Sequence, residues 1–288
     1  MAGYADAKEK CRFSLLCLID MATGEEREIM RCEGNLEAPF FRSRDELCYN
    51  TGGRIHRMNL ATGERDILPT GSKIRCNNDH VFSKDGRYLF ISNGDEGIGS
   101  RIYVTEVGSE AEPRLITPLA PSYLHGVSPD GGTIAYCACR GGEYDVYTMP
   151  VEGGAETRLT CTPGLCDGPE YSPDGRKIYF CSVRCGNMEC FVMDADGSNQ
   201  TRLTDNGRHN WFPHISHDGG KIAYISYDPA EVKPGDHPPD RNVQLRLMNA
   251  DGSDDRCLVS FFGGQGSLNV NSMRQGTNEL AYVKYEIL

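Results

Sequence analysis

The stretch "SYLHGVSPDG", residues 122–131, decides the fold. A short apolar run ends in Ser-Pro-Asp-Gly, a set of turn residues that reverses the chain. The same frame stands at 77–86 ("NNDHVFSKDG"), 168–175 ("GPEYSPDG") and 212–219 ("FPHISHDG"), and a degenerate copy, "FFRSRDE", surrounds Ser43. The serines at 43, 83, 128, 172 and 216 are spaced by 40, 45, 44 and 44 residues. An alternating run follows each of them, as in "TIAYCA" and "KIYFCS", then a second such as "DVYTMPV" and a short third such as "TRLT". With the run that precedes each serine, a unit holds four strands. Four strands per unit of this length is the pattern of a β-propeller blade.

The two ends complete the count. The chain opens on two runs of the pattern, "FSLLCLID" and "EEREIMR", and closes on the other two, near "SLNVNSM" and "NELAYVKY". Joined, they make one blade shared by the termini, which closes the ring and leaves no free sheet edge. The expectation is an all-β, six-bladed propeller with four antiparallel strands per blade, spanning 1–288 as one domain. Such a chain is long enough to bury about 75% of its unfolded surface.

Composition narrows the partners. A net charge of −11 and a pI near 5.1 repel a phosphate backbone, and no basic stripe interrupts them, so nucleic acid is not an expected partner. No apolar run is long enough to span a bilayer as a helix, so no membrane partner is expected either. The opening residues, with acidic groups near the start and a short apolar run from Phe13 to Ile19, do not read as a signal peptide. Thirteen irregularly spaced cysteines agree with a cytoplasmic setting, where they act as small buried hydrophobes. The clusters Cys181/Cys185/Cys190 and Cys137/Cys139 lack C-x-x-C spacing.

The residues before each turn belong to the innermost strand and border the central channel. At one slot stand Pro39, His80, His125, Pro169 and Pro213, with Asn271 in the last copy. Proline suits an inner edge that needs no backbone donor. Histidine in two neighbouring blades departs from that default. Two positions earlier stand Glu37, Asn78, Tyr123, Asp167, Trp211 and Asn269, and the positions between add Asp79, Glu170 and His214. Three readings stay open. His80, His125 and His214 with a carboxylate could hold a divalent metal (Mn, Zn, Ca or Fe). Alternatively His125 or His80 is a general base tuned by Asp167. Or the residues simply solvate a wet channel. Substrate contacts are expected from Glu37, Asn78, Tyr123, Trp211, Arg140, Gln265 and Asn269. Arg140 and the matching Arg184 could instead bridge blades.

Strand order places the longest insertion, "SYDPAEVKPGDHPPDRN" (226–242), on the face where the inner strands begin. A long connection of this kind is functional or disordered, and His237 and Asp236 could cap the channel. "FFGGQGSLN" (261–269) enters the last inner strand at the same face.

The frame "HGVSPDG", "PEYSPDG", "PHISHDG", with "MDADGSNQTRLT" after it, resembles the WD40-like (PD40) repeats of TolB-like propellers. That resemblance implies the propeller fold, and a protein-interaction role as in TolB. "HNWFPH" and "GGQG" are similar in kind to features of oligogalacturonate lyases, TolB-like propellers with one blade more. That similarity implies a channel metal held by histidines and a glutamine, and a further histidine as base. The function expected is binding of a small polar ligand, a carbohydrate or sugar acid, with metal-assisted elimination or hydrolysis at the channel mouth. The alternative is a non-catalytic platform for a protein partner.

Overall fold

The computed structural model describes residues 13–287, and the opening segment before Phe13 lies outside them. Its strands form six sheets arranged as blades. Blade 1 is β3 (Glu37–Phe41), β4 (Glu46–Thr51), β5 (Arg54–Asn59) and β6 (Arg65–Ile67). Blade 2 is β7 (Cys76–Phe82), β8 (Tyr88–Asp95), β9 (Gly99–Glu106) and β10 (Arg114–Leu115). Blade 3 is β11 (Ser122–Val127), β12 (Thr133–Arg140), β13 (Glu143–Pro150) and β14 (Thr157–Arg158). Blade 4 is β15 (Cys166–Tyr171), β16 (Lys177–Ser182), β17 (Glu189–Asp194) and β18 (Thr201–Arg202). Blade 5 is β19 (His209–Ile215), β20 (Lys221–Tyr227), β21 (Arg241–Asn249) and β22 (Arg256–Gly263). All neighbours within these blades are antiparallel, as the repeat requires.

The shared blade joins the ends as expected. β1 (Phe13–Asp20) pairs β2 (Glu26–Glu33) on one side and β23 (Glu279–Glu286) on the other, from Phe13↔Glu286 to Asp20↔Glu279. Its innermost run is not a regular strand: "SLNVNSM" keeps only the bridge Met273↔Leu280. The cause is local. Asn269 Oδ1 accepts from Gly266 N at 2.7 Å and Asn271 Oδ1 from Met273 N at 3.1 Å, so asparagine side chains take donors that a ladder would use.

The Ser-x-Asp-Gly frame has a clear physical basis. Each serine hydroxyl donates to the aspartate two residues on, at 2.6 Å from Ser83, Ser128, Ser172 and Ser216. It also accepts the backbone N–H that opens the next strand, at 2.9 Å. Glycine follows because the turn needs positive φ, as at Gly131 and Gly175 (74° and 73°). In blade 1 the turn closes at Arg42, whose N–H donates to Glu46 O at 3.0 Å, and the frame is one residue earlier than Ser43 suggested.

The core lies between blades. Phe90, Ile102 and Val104 of blade 2 pack with Ile134, Tyr136 and Tyr147 of blade 3, and Leu16 and Leu18 of β1 with Leu47 and Tyr49 of blade 1. Most cysteines are buried within this packing, but Cys161, Cys185 and Cys257 are exposed. Cys185 sits in the turn between β16 and β17, not in a strand.

Every inner strand breaks register near its middle, between Glu37 and Phe40, Cys76 and His80, Leu124 and Gly126, Asp167 and Glu170, and Trp211 and His214. In the proline blades the residue before proline is left-handed: Ala38 (φ 51°), Gly168 (φ 59°) and Phe212 (φ 56°). The histidine blades carry Asp79 and Leu124 there without positive φ. Proline at this slot therefore marks one form of the bulge, and the two histidine blades break register differently from it and from each other.

Candidate functional site

β7, β11 and β15 bring Asp79, His125 and Asp167 together near the start of the channel. His125 Nε2 lies 3.1 Å from Asp167 Oδ1 and 3.9 Å from Asp79 Oδ1. The side chains of His125, Asp79 and Asp167 are only 5%, 10% and 13% exposed. Burial pushes Asp79 up to about 6, with the Asp167 charge adding to it against the pull of His125. Burial also opposes charge on Asp167, but the hydrogen bond and charge of His125 outweigh it and hold that carboxyl below its ordinary range. His125 is raised, because Asp79 and Asp167 overcome the cost of burying its cation. Two carboxyls of one kind are thus driven apart across a shared imidazole, an arrangement suited to acid–base work.

The chain between β20 and β21 forms a strap over this group. Its His237 ring lies 4.0 Å from the Trp211 ring and edge-on to Phe212 at 5.4 Å. Phe212 in turn stacks on His125 at 5.5 Å. Burial pushes His237 down to about 4, so it is neutral at pH 7. Pro238 O accepts from Tyr227 Oη and from Gln265 N, each at 3.2 Å. A Cβ at position 264 would stand 2.3 Å from that oxygen, which is why the chain has glycine there. Gly235 approaches Val183 and Leu165 of blade 4, and Val232 is buried in the blade 5 core. The strap therefore reaches from blade 4 to the final connection.

Other expected residues lie elsewhere. His80 does not enter the His125 group: it is fully buried, and its Nε2 donates to Ala38 O of blade 1 at 3.0 Å. Its ring packs on Phe40 at 4.3 Å, and burial pushes its pKa down to about 4. His214 meets Glu170 instead, with Nδ1 at 2.6 Å from Oε2. Glu170 Oε1 also accepts from Ile215 N at 3.1 Å and from Asn271 Nδ2 at 2.6 Å, which locks blades 4, 5 and 6 together. His80, His125 and His214 therefore have three separate partners and do not converge. Among the described residues no group of three or more His, Cys, Asp or Glu side chains is placed to hold a metal, and these three histidines do not fit the expected ion.

Arg140 is engaged in its own blade. Its Nε and Nη2 grip Glu156 at 2.7 and 2.9 Å, and Nη1 donates to Pro121 O at 2.9 Å. It neither reaches the channel nor bridges two blades. Arg184 binds Gln200 at 2.6 Å and lies over Phe180 and Phe191. Trp211 is fully buried beneath His237 and presents no open face for a sugar. Glu37 packs against Gly266, where a Cβ would stand 2.8 Å from its Cγ. Tyr123 is half-buried, and Asn78, Gln265 and Asn269 are buried. Asn78 Oδ1, Gln265 Oε1, Asn269 Nδ2 and Trp211 Nε1 have no protein partner. Buried polar atoms of this kind are normally satisfied by water or ligand. Sequence reasoning passed over Phe212. Its signal was a bulky residue before proline, at the slot where Ala38 and Gly168 stand.

Residues 116–260 match the family model described as the TolB beta propeller domain. An uncharacterized protein of Agrobacterium fabrum is 40% identical over 240 residues, covering 83% of this chain and 80% of that protein. A solved structure from Agrobacterium tumefaciens, provisionally assigned as TolB, superposes with a TM-score of 0.90 at 40% identity, over 96% of this chain and 99% of that one. TolB of Acinetobacter baumannii matches with a TM-score of 0.68 at 18% identity, over 88% of this chain and 64% of that one. An oligogalacturonate lyase in complex with manganese matches with a TM-score of 0.51 at 16% identity, over 78% and 65%, a likeness of fold alone. With that sequence identity, the repeat and the six-bladed ring in agreement, the chain belongs to the TolB β-propeller family.

Proposed function

We propose that this propeller binds a small, hydroxyl-bearing polar molecule at the channel mouth, with Asp79, His125 and Asp167 as its acid–base group. The observation that carries the reading is the buried imidazole held between two carboxylates beneath a strap. The unpaired atoms on the inner strands and on the connection into the last of them are both acceptors (Asn78 Oδ1, Gln265 Oε1) and donors (Asn269 Nδ2, Trp211 Nε1). A hydroxyl, which donates and accepts at once, suits such a mixture. Charge sharpens the ligand class. The inner strands carry Glu37, Asp79, Asp167 and Glu170 and no lysine or arginine, and Arg140 is committed to Glu156. The inner strands offer a sugar acid no lysine or arginine, so a neutral sugar is the better fit.

In the chemistry we propose, protonated His125 donates to a ligand oxygen and Asp167 keeps the ring oriented. Asp79, titrating near neutrality, accepts or returns a proton. Isothermal calorimetry against neutral sugars, sugar acids and small amines is the test, on wild type, His125→Ala and Asp167→Asn. Binding of a neutral sugar that weakens at least about tenfold in both variants supports the reading, by the loss of one charge-assisted hydrogen bond. Equal binding in all three proteins, or preference for a sugar acid, refutes it.

A second reading, a platform for a protein partner, draws on Ile74, Ile98 and Leu119. All three are exposed, and their loops lie on the mouth face of blades 1–3. Ile98→Asp with Leu119→Asp would abolish partner binding and leave sugar binding unchanged.

A further inference from the structure

Phe212 stands where the other blades of this form carry a small residue. The corresponding slot holds Ala38 in blade 1 and Gly168 in blade 4, and all three have positive φ. A left-handed backbone costs an L residue about 1–2 kcal/mol, and bulky residues avoid it. The position also precedes proline, which restricts the backbone further. The other non-glycine cases among the described residues are Asn199, Asp240 and Asp254, types that tolerate this region. Phe212 is the only large apolar residue so placed among the described residues.

The ring makes particular contacts. It stacks on His125 at 5.5 Å, meets His237 edge-on at 5.4 Å, and leans on Trp211 at 5.4 Å. Gly168 makes room for it, since a Cβ there would stand 2.8 Å from Phe212 Cδ1. Phe212 is 3% exposed. Strain of this kind persists where surrounding structure enforces it, and it gathers at working sites.

We propose that Phe212 is a positioning residue, whose strained backbone aims its ring as the common wall on which His125 and the strap's His237 both rest. Through that wall, displacement of the strap reaches the acid–base group. The functional meaning rests on the ligand site proposed above, but the test uses no ligand, so the two can fail separately. The groups facing His125 are Asp79 on β7, Asp167 and Glu170 on β15, and His237 on the strap. Those facing His237 are Asp167, His125 and Asp236.

The experiment combines histidine-ring NMR titrations with thermal unfolding of wild type, Phe212→Gly, Phe212→Ala and Phe212→Tyr. Glycine should give a higher melting temperature than alanine, although it removes one more carbon, because it relieves the backbone. In Phe212→Gly the His237 titration should rise by about one unit or more as water reaches the ring, and that of His125 should move with it. Phe212→Tyr should restore both. Alanine as stable as glycine, or histidine titrations unmoved in the glycine protein, would overturn the proposal. If the glycine protein is too unstable to titrate, Phe212→Leu replaces it, since it keeps apolar bulk without the ring. Unmoved titrations there would count equally against the idea.

Discussion

His80 and His125 occupy the same slot of neighbouring blades and are used in opposite ways. His80 is sealed from water, neutral, and spends its N–H on a carbonyl of blade 1. His125 is raised, and lies between a carboxylate of blade 2 and another of blade 4. The strand position sets where each imidazole starts. What it becomes depends on the neighbouring blade: a left-handed Ala38 offers its carbonyl to one, and Asp167 offers a charge to the other.

Deletion of each ring should separate the two roles. His125→Ala leaves Asp79 and Asp167 buried without the ring that partners them and should cost about 3–5 kcal/mol at pH 7.5. Urea unfolding should show much of that loss returning at pH 5, as the two carboxyls take up protons. His80→Ala removes a buried ring and one hydrogen bond, for about 2–4 kcal/mol at pH 7.5; its gap to wild type also narrows in acid, because the buried neutral ring withdraws stability from wild type as pH falls from 6.5 toward 4. Carboxyl titrations of Asp79 and Asp167 that rise in His125→Ala and stay at wild-type values in His80→Ala keep the two roles apart; equal titrations in both variants would erase the distinction.

Asp79→Asn sharpens it from the carboxylate side. The folded value of Asp79, about 6, lies above its unfolded value of 3.8. On acidification the native state takes the proton first, so its contribution improves as pH falls from about 6 to 4 and is a cost above 6. Asparagine should therefore stabilise the protein at pH 7.5 by about 1–3 kcal/mol while weakening ligand binding. His80 and His237 act in the opposite direction. Their folded values near 4 lie below 6.5, so each withdraws stability as pH falls from 6.5 toward 4. Measured stability of Asp79→Asn across pH 4–8 decides this, and a destabilised protein at pH 7.5 would contradict it.

The contrast also explains what could be read before the fold was seen. The ring and its blade count were legible because the Ser-Asp-Gly turn is local chemistry: one hydroxyl, one carboxylate and one glycine within four residues, repeated. The channel layer was legible as a layer, and Asp167 and His125 do meet. The partners of His80, His214 and Arg140 were not legible, because each is chosen across a bulge or a turn. A single register break moves His214 onto Glu170 instead of toward His125. Phe212 was hidden because a bulky residue before proline is unusual only once its positive φ is known.

Arg140 supplies the smallest effect and the clearest separation of frame from site. Its guanidinium binds Glu156 through two nitrogens and reaches Pro121 O and Ser122 Oγ as well, at 17% exposure. Lysine keeps the charge but not the planar fork, so Arg140→Lys should cost about 1 kcal/mol. Because none of these partners belongs to the His125 group, the histidine titrations and ligand affinity should stay at wild-type values. A fall in affinity without a fall in melting temperature would place Arg140 back at the ligand, and would reopen the case for an anionic substrate.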